Sequence, residues 1–496
     1  MPHLAAPLGS GAGADTVPLT FETLPHAGDT ASGPTYSLLQ SLTAARAQAA
    51  GAAADPERRL QWSETYLVLL RRLSEAEPAL AAQARPAICH WRSQLTAPAA
   101  SSAAAGGTSP RLFTSDRLFP LASLQEERVL ATHLYAALLQ QQAASELGCP
   151  APAACTSPRA AVEGAGAAEC GGDAAPKLRP RPLQRLKSLL SFRSRRGSVT
   201  GAAAAERQPA SPASSYSAAS LEPASRTASG ASALAPPDSP GAEAGDGAGV
   251  YARAVALYRR AAGVYEHIAA HLLPAARAAA AEAPAGVAVE SAVGEPGVAG
   301  PPVELWPGYA EALASVCLAQ AQGVAAQRAA AKGTAPALAA ALHQGAADMF
   351  QAAGTAAAGL EPPSPGCSYL LSDQLRRFLL ASGEWQRAEA WRQAALHQRE
   401  LGQGGAAVAC MQAALQAGSQ ALTTCQAGDE HWRAALAADL ACMERLSVAL
   451  DRERSVVYNQ KVAAVAPALP AARVIVTAAI PFDQPKELPE DVLPPV

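Results

Sequence analysis

The sequence predicts an all-α protein, a helical solenoid with tetratricopeptide-like spacing that ends in an extended, strand-like C-terminal tail. Three observations carry this expectation. Alanine supplies most of the apolar residues, since 49% of the chain is hydrophobic and only 5% aromatic, so helix propensity is high and apolar bulk per residue modest. Larger side chains recur at spacings of three and four along much of the 496-residue chain. The tail then breaks the pattern: Asp451-Arg-Glu-Arg-Ser-Val-Val-Tyr-Asn-Gln-Lys-Val462, Leu469-Pro470, Val474-Ile-Val476 and Ile480-Pro-Phe-Asp483 make a Pro-punctuated, β-branched ribbon. Such a ribbon must lie extended along the helices.

The elements follow in order. Residues 1–35 are rich in Gly, Pro and Ala, with one alternating patch, Val17-Pro-Leu-Thr-Phe21, that predicts a short strand or hairpin arm. A helix begins near Tyr36 and carries Leu38, Leu39, Leu42 and Ala45. A second, Leu60 to Glu75, carries Trp62, Tyr66, Leu69, Leu70 and Leu73, and a third is predicted from Pro78 to Leu95. Low-complexity sequence from Thr96 precedes Arg111-Leu-Phe-Thr-Ser-Asp-Arg-Leu-Phe119 and a long helix from Leu121 to Leu147. From Gly148 to about Ala248 large apolar residues are nearly absent, which predicts a disordered insertion.

Helical signal resumes with Tyr251, Val255, Tyr258, Ala262, Tyr265, Ala269 and Leu272, a packed face expected to end at Pro274. After a second spacer, about Ala281 to Pro302, a helical hairpin spans Leu305 to Phe350, with Gly333 and Pro336 marking its turn. A loop, Leu360 to Ser368, leads to helices Leu370 to Leu401 and Gly405 to Cys425. There Ala390, Trp391, His397, Gly402, Ala406, Ala407 and Ala414 give the tetratricopeptide-like spacing. A last helix, His431 to Leu450, enters the tail.

Composition also bounds function. A net charge of −3 and a pI of about 6.3 argue against a global nucleic-acid-binding field, so no nucleic-acid partner is expected. Nine cysteines without a CxxC pair, and no signal peptide at Met1-Pro-His-Leu4, predict reduced thiols and a cytoplasmic chain. No stretch reads as a membrane span once alanine's low hydropathy is discounted. There is no Walker loop, GxGxxG or nucleophile motif, so neither an enzyme nor a cofactor is expected. His267 and His271 have the i,i+4 spacing of a helical metal pair, but no third ligand is evident, and the expectation is a structural role.

The tail resembles the end of the BRO domain, the "Bro-one" domain family of Alix and Brox, on Val457-Tyr458, Lys461-Val462 and Ile480-Pro481-Phe482. Further family-like stretches are Ala262-Gly-Val-Tyr-Glu-His-Ile268 with His271-Leu-Leu-Pro274, Leu318-Ala-Gln-Ala-Gln322 with Val324, and Ala346-Ala-Asp348 with Phe350. They occur in the family's order, and Val17–Phe21 and Ile480–Phe482 look more like the Brox branch than the Alix branch. The resemblance implies one domain over residues 15–485, interrupted at about 96–110, 148–248 and 281–302, with 486–496 as a short disordered tail. Its implied form is elongated and curved, banana-shaped, with a tetratricopeptide-like core and a small N-terminal β element. Brox-type proteins can carry a C-terminal prenylation box; this sequence ends Asp491-Val-Leu-Pro-Pro-Val496, so no lipid anchor is expected there.

The resemblance also implies a function. Family members bind the C-terminal amphipathic helix of a core ESCRT-III subunit in a hydrophobic groove, acting in endosomal, multivesicular-body sorting or membrane remodelling, by helix-in-groove recognition. Carried over, the two aliphatic anchors fall on Leu338 and Leu342, one turn apart, and a basic position on Arg328. The Alix-type aromatic anchor falls on Ala325. Loss of such an aromatic costs about 2–4 kcal/mol, roughly 30-fold to 1000-fold in affinity. Ordinary core leucines are the alternative for Leu338 and Leu342, and a tetratricopeptide-like scaffold without ESCRT-III binding is the alternative function.

One local charge run stands apart. Lys177 to Arg196 holds many basic groups and no acid. Arg185, Leu186, Lys187, Leu189, Leu190, Phe192, Arg193, Arg195 and Arg196 predict either a basic amphipathic helix on anionic, endosomal membrane or a solvated basic linker. Ser198 follows Arg195-Arg-Gly as a basophilic kinase would read it, and a phosphate there would weaken the attraction.

Overall fold

The computed structural model describes residues 34–50, 56–76, 90–92, 96–98, 118–120, 123–148, 247–282, 301–361, 369–426 and 429–485. All of these belong to one compact unit, residues 1–156 with 243–496. The predicted strand at Val17–Phe21, residues 149–246 of the expected 148–248 insertion and the segment 486–496 lie outside the described residues, while Gly247 and Ala248, expected in that insertion, open a helix.

Helices dominate. They are α1 Pro34–Ala50, α2 Pro56–Ala76, α3 Leu124–Glu146, α4 Gly247–His267, α5 Leu273–Glu282, α6 Tyr309–Ala331, α7 Pro336–Ala358, α8 Asp373–Glu400, α9 Gly404–Thr424 and α10 Glu430–Glu453. Packing follows chain order: α1 on α2, α2 on α3, α3 on α4, α4 on α6, then each helix on the next through α10. This is the nearest-neighbour logic of a solenoid. Small residues such as Ala339, Ala340, Ala346 and Ala347 are buried where helices approach, while Tyr66, Tyr265, Trp306, Phe378, Trp385 and Trp432 supply bulk.

Local chemistry sets the boundaries. Ser123 caps α3, its hydroxyl accepting the Glu126 N–H at 3.2 Å, and Ser372 caps α8 by accepting from Gln374 N–H. Gly333 takes φ 71° in the α6–α7 turn, and Pro336 opens α7, where its missing N–H costs nothing. A buried ion pair ties the first helices together. The guanidinium of Arg46 lies 3.1 Å from Glu127, both essentially inaccessible, and the Tyr66 hydroxyl donates to the same carboxylate.

Several predicted boundaries are corrected. The helix expected from Pro78 to Leu95 does not reach its end, because His90–Arg92 is a strand (β1) paired antiparallel with Leu118–Pro120 (β3). Thr96–Pro98 (β2), read as the start of an insertion, pairs with Tyr369–Leu371 (β4), which also removes Leu370 from the helix expected to begin there. Both pairings are decided by partners distant in sequence, which local propensity does not register. Pro274 does not end its helix either. Residues Ile268–Leu272 form a π turn, with the Leu273 N–H donating to Ile268 O, and the chain continues helically to Glu282. The wider turn relieves the clash between a proline ring and the preceding carbonyl.

The tail, residues 459–485, is extended as expected, and it bonds to helices instead of joining a sheet. Ala463 N–H donates to Gly405 O on α9, Arg473 N–H to Ala341 O on α7, and Ile480 N–H to Arg259 O on α4. At each crossing a glycine admits the tail's backbone. A Cβ would sit 2.1 Å from Lys461 O at Gly405, 2.5 Å from Arg473 O at Gly345 and 1.8 Å from Ile480 O at Gly263. Beyond the last crossing, Phe482 packs on Tyr135 and His267, and Arg128 on α3 donates to Gln484 at 2.7 Å. The tail thus travels back along the solenoid, against chain order.

Candidate functional site

The hairpin of α6 and α7 is where the sequence places its partner site, and the tail crosses it. Gln322, fully buried on α6, governs the crossing. Its amide nitrogen donates to Leu342 O at 3.1 Å and Arg473 O at 3.0 Å, and its amide oxygen accepts from Ile475 N–H at 3.0 Å and Val476 N–H at 3.1 Å. Four hydrogen bonds exhaust most of what one carboxamide can make, so a single side chain joins α6, α7 and the tail. Val476 is buried with Ala143, Ala254, Tyr258, Ala321 and Val324, while Val474 and Ile475 stay 41% and 51% exposed.

The predicted site residues fall at different depths. Leu338, Ala325 and Arg328 are half-buried; Ala325 packs against the Val476 cluster, and Arg328 Nε has no hydrogen-bond partner among the described residues. Leu342 is only 3% exposed. Of the two expected anchors, Leu342 is therefore the deeper. They share a face of α7, but the packing on α6 leaves only Leu338 partly open. Gln322 was legible as part of a family-like stretch, whereas its role as the tail's anchor depends on partners over 150 residues away.

The profile of the BRO1-like domain family matches residues 241–494, more than half of the chain, and so spans the hairpin, the helices after it and the tail. The chain belongs to the BRO1-like domain family. Three solved structures are similar. One, described as the ALIX BRO1 CHMP4C complex, is 16% identical with a TM-score of 0.47, over 93% of this chain and 89% of that one. A second, described as the basis for endosomal targeting by the Bro1 domain, is 10% identical with a TM-score of 0.45, over 89% and 82%. The third, ALIX in complex with the SIVmac239 PYKEVTEDL late domain, is 15% identical with a TM-score of 0.46, over 92% of this chain and 46% of that one. No curated protein matches the chain.

Several histidines among the described residues are built into the packing. His133 is buried, hydrogen-bonded to Glu304 O at 3.0 Å, and burial pulls its pKa down to about 4. His343, bonded to Gln386, is likewise pulled down by burial. The rings of His267 and His271 lie 5.0 Å apart, and His267 also packs edge-on against Phe482. Its pKa is lowered, first by burial, then by His271 and Arg128. Among the described residues no group of His, Cys, Asp and Glu could hold a metal ion, and no helix is long and apolar enough to cross a membrane. The basic residues Arg185 to Arg196 and Ser198 lie outside the described residues.

Proposed function

We propose that this BRO1-like domain is a non-catalytic adaptor whose α6–α7 hairpin takes the C-terminal amphipathic helix of a core ESCRT-III subunit, in endosomal sorting or membrane remodelling. On this reading residues 15–485 form one such domain carrying insertions. The observation that carries it is the surface Gln322 creates. It pins the tail over the hairpin so that Val474 and Ile475 stand exposed, Val474 beside Gly345 and two turns along α7 from half-buried Leu338. Exposed aliphatics near a half-buried leucine, with Arg328 at the edge, suit an apolar helix face bearing acidic flanks. With Ala325 at the aromatic position, the contact is a weak one.

The test is a titration of ESCRT-III C-terminal helices against the intact domain. Leu338→Asp should abolish binding with an unchanged circular dichroism spectrum. Leu342 is unsuited to the same experiment, because a charge buried there would unfold the hairpin. Binding by no ESCRT-III helix, or binding that ignores Leu338→Asp, would leave the alternative of a tetratricopeptide-like scaffold. The basic run from Arg185 to Arg196 is read as a peripheral contact with anionic membrane, which flotation with and without anionic lipid checks.

A further inference from the structure

A second concave surface lies on the other flank of the tail. Gln344 and Asp348 of α7, Arg387 and Trp391 of α8, and Leu469 and Pro470 of the tail line an open groove of about 490 Å³. It is separate from the surface proposed above. At about 100° per residue, Ala341 and Gly345, which carry the tail crossing, divide the Gln344/Asp348 face of α7 from the Leu338/Leu342 face. The groove's outer wall exists only because the tail is in place.

Its charges are unevenly satisfied. Arg387 lies 2.6 Å from Glu384 Oε1 and donates to Gln351 at 3.4 Å, so its charge is already answered. Exposed Asp348 accepts only the amide of Gln344, at 2.7 Å, and pairs with no cation among the described residues. What remains is an exposed carboxylate with acceptor capacity to spare, next to a half-buried indole and an apolar Leu-Pro wall.

That set fits one side chain best. A guanidinium carries five donors in a plane, can fork onto a carboxylate, stacks on indole and lays its methylene stem on apolar surface. An acidic side chain would meet Asp348, and an ammonium would use the carboxylate without the planar match to the ring. We propose that this groove is a docking site for an arginine-bearing peptide segment of a partner protein, with Asp348 and Trp391 as its principal contacts.

The experiment pans a random dodecapeptide library against the full chain, with Asp348→Lys protein as the counter-selection, and titrates the recovered peptides by calorimetry. The recovered peptides should share an arginine, and replacing it with citrulline should weaken binding roughly tenfold, as should Asp348→Asn. Asp348 is exposed, so these variants stay folded, which thermal melts verify; Trp391→Leu provides the second arm. Leu338→Asp should change nothing here. An empty selection, peptides without a common arginine, or binding unmoved by Asp348→Asn and Trp391→Leu would each overturn the proposal.

Discussion

Arg46 and Glu127 show how much can rest on single residues in an alanine-rich core. Both charges are out of water, and the Tyr66 hydroxyl spends its hydrogen bond on the same carboxylate. Removing one partner strands the other, so Arg46→Met alone should cost about 3–5 kcal/mol. Urea denaturation measures it, and adding Glu127→Leu should recover most of the loss. Composition gave no hint of this pair, since Arg46 and Glu127 come from helices separated by the first strand segments. The spacing of Leu338 and Leu342 was legible, because four residues place two side chains on one face. Their depths were not, because depth is set by α6 and by a tail that approaches from far along the chain.

At the scale of elements the tail is the most legible piece and its attachment the least. Prolines and β-branched residues announced an extended ribbon; nothing near them announced that Gly263, Gly345 and Gly405 form its track. The same holds for β1 with β3 and β2 with β4, whose partners are remote, and for the π turn that carries α4 past Pro274 into α5. A methyl group at Gly263 would meet Ile480 O at 1.8 Å, against backbone with no flexible end to yield. Gly263→Ala should therefore lift residues 478–484 while leaving the Gln322 crossing in place. Limited proteolysis checks this: new cleavage is expected near Phe482, with residues 473–476 still protected.

The whole solenoid shares one dependence on acidity. His133 on α3, His267 at the end of α4, His343 on α7 and His431 on α10 all have pKa values lowered from 6.5, with burial the leading cause at each. Folding thus favours their neutral forms. The stability they confer is fully present above pH 6.5 and is lost as pH falls below it toward the folded-state values. For His133, with a folded value of about 4, the loss is about 3 kcal/mol by the time pH reaches that value. Urea midpoints at pH 7.5 and 5 should fall accordingly, and His133→Gln should flatten the slope.

Because the tail runs against chain order, it is synthesised after every helix it clasps; the bond from Arg128 to Gln484 joins residues 356 positions apart. On the ribosome, α3 to α9 can stack as they emerge, since each needs only its neighbour. The cluster around Val476 and the glycine track wait, open to water, until the last stretch leaves the exit tunnel. The Gly263, Gly345 and Gly405 track can therefore be covered only after residues 461–480 have been made.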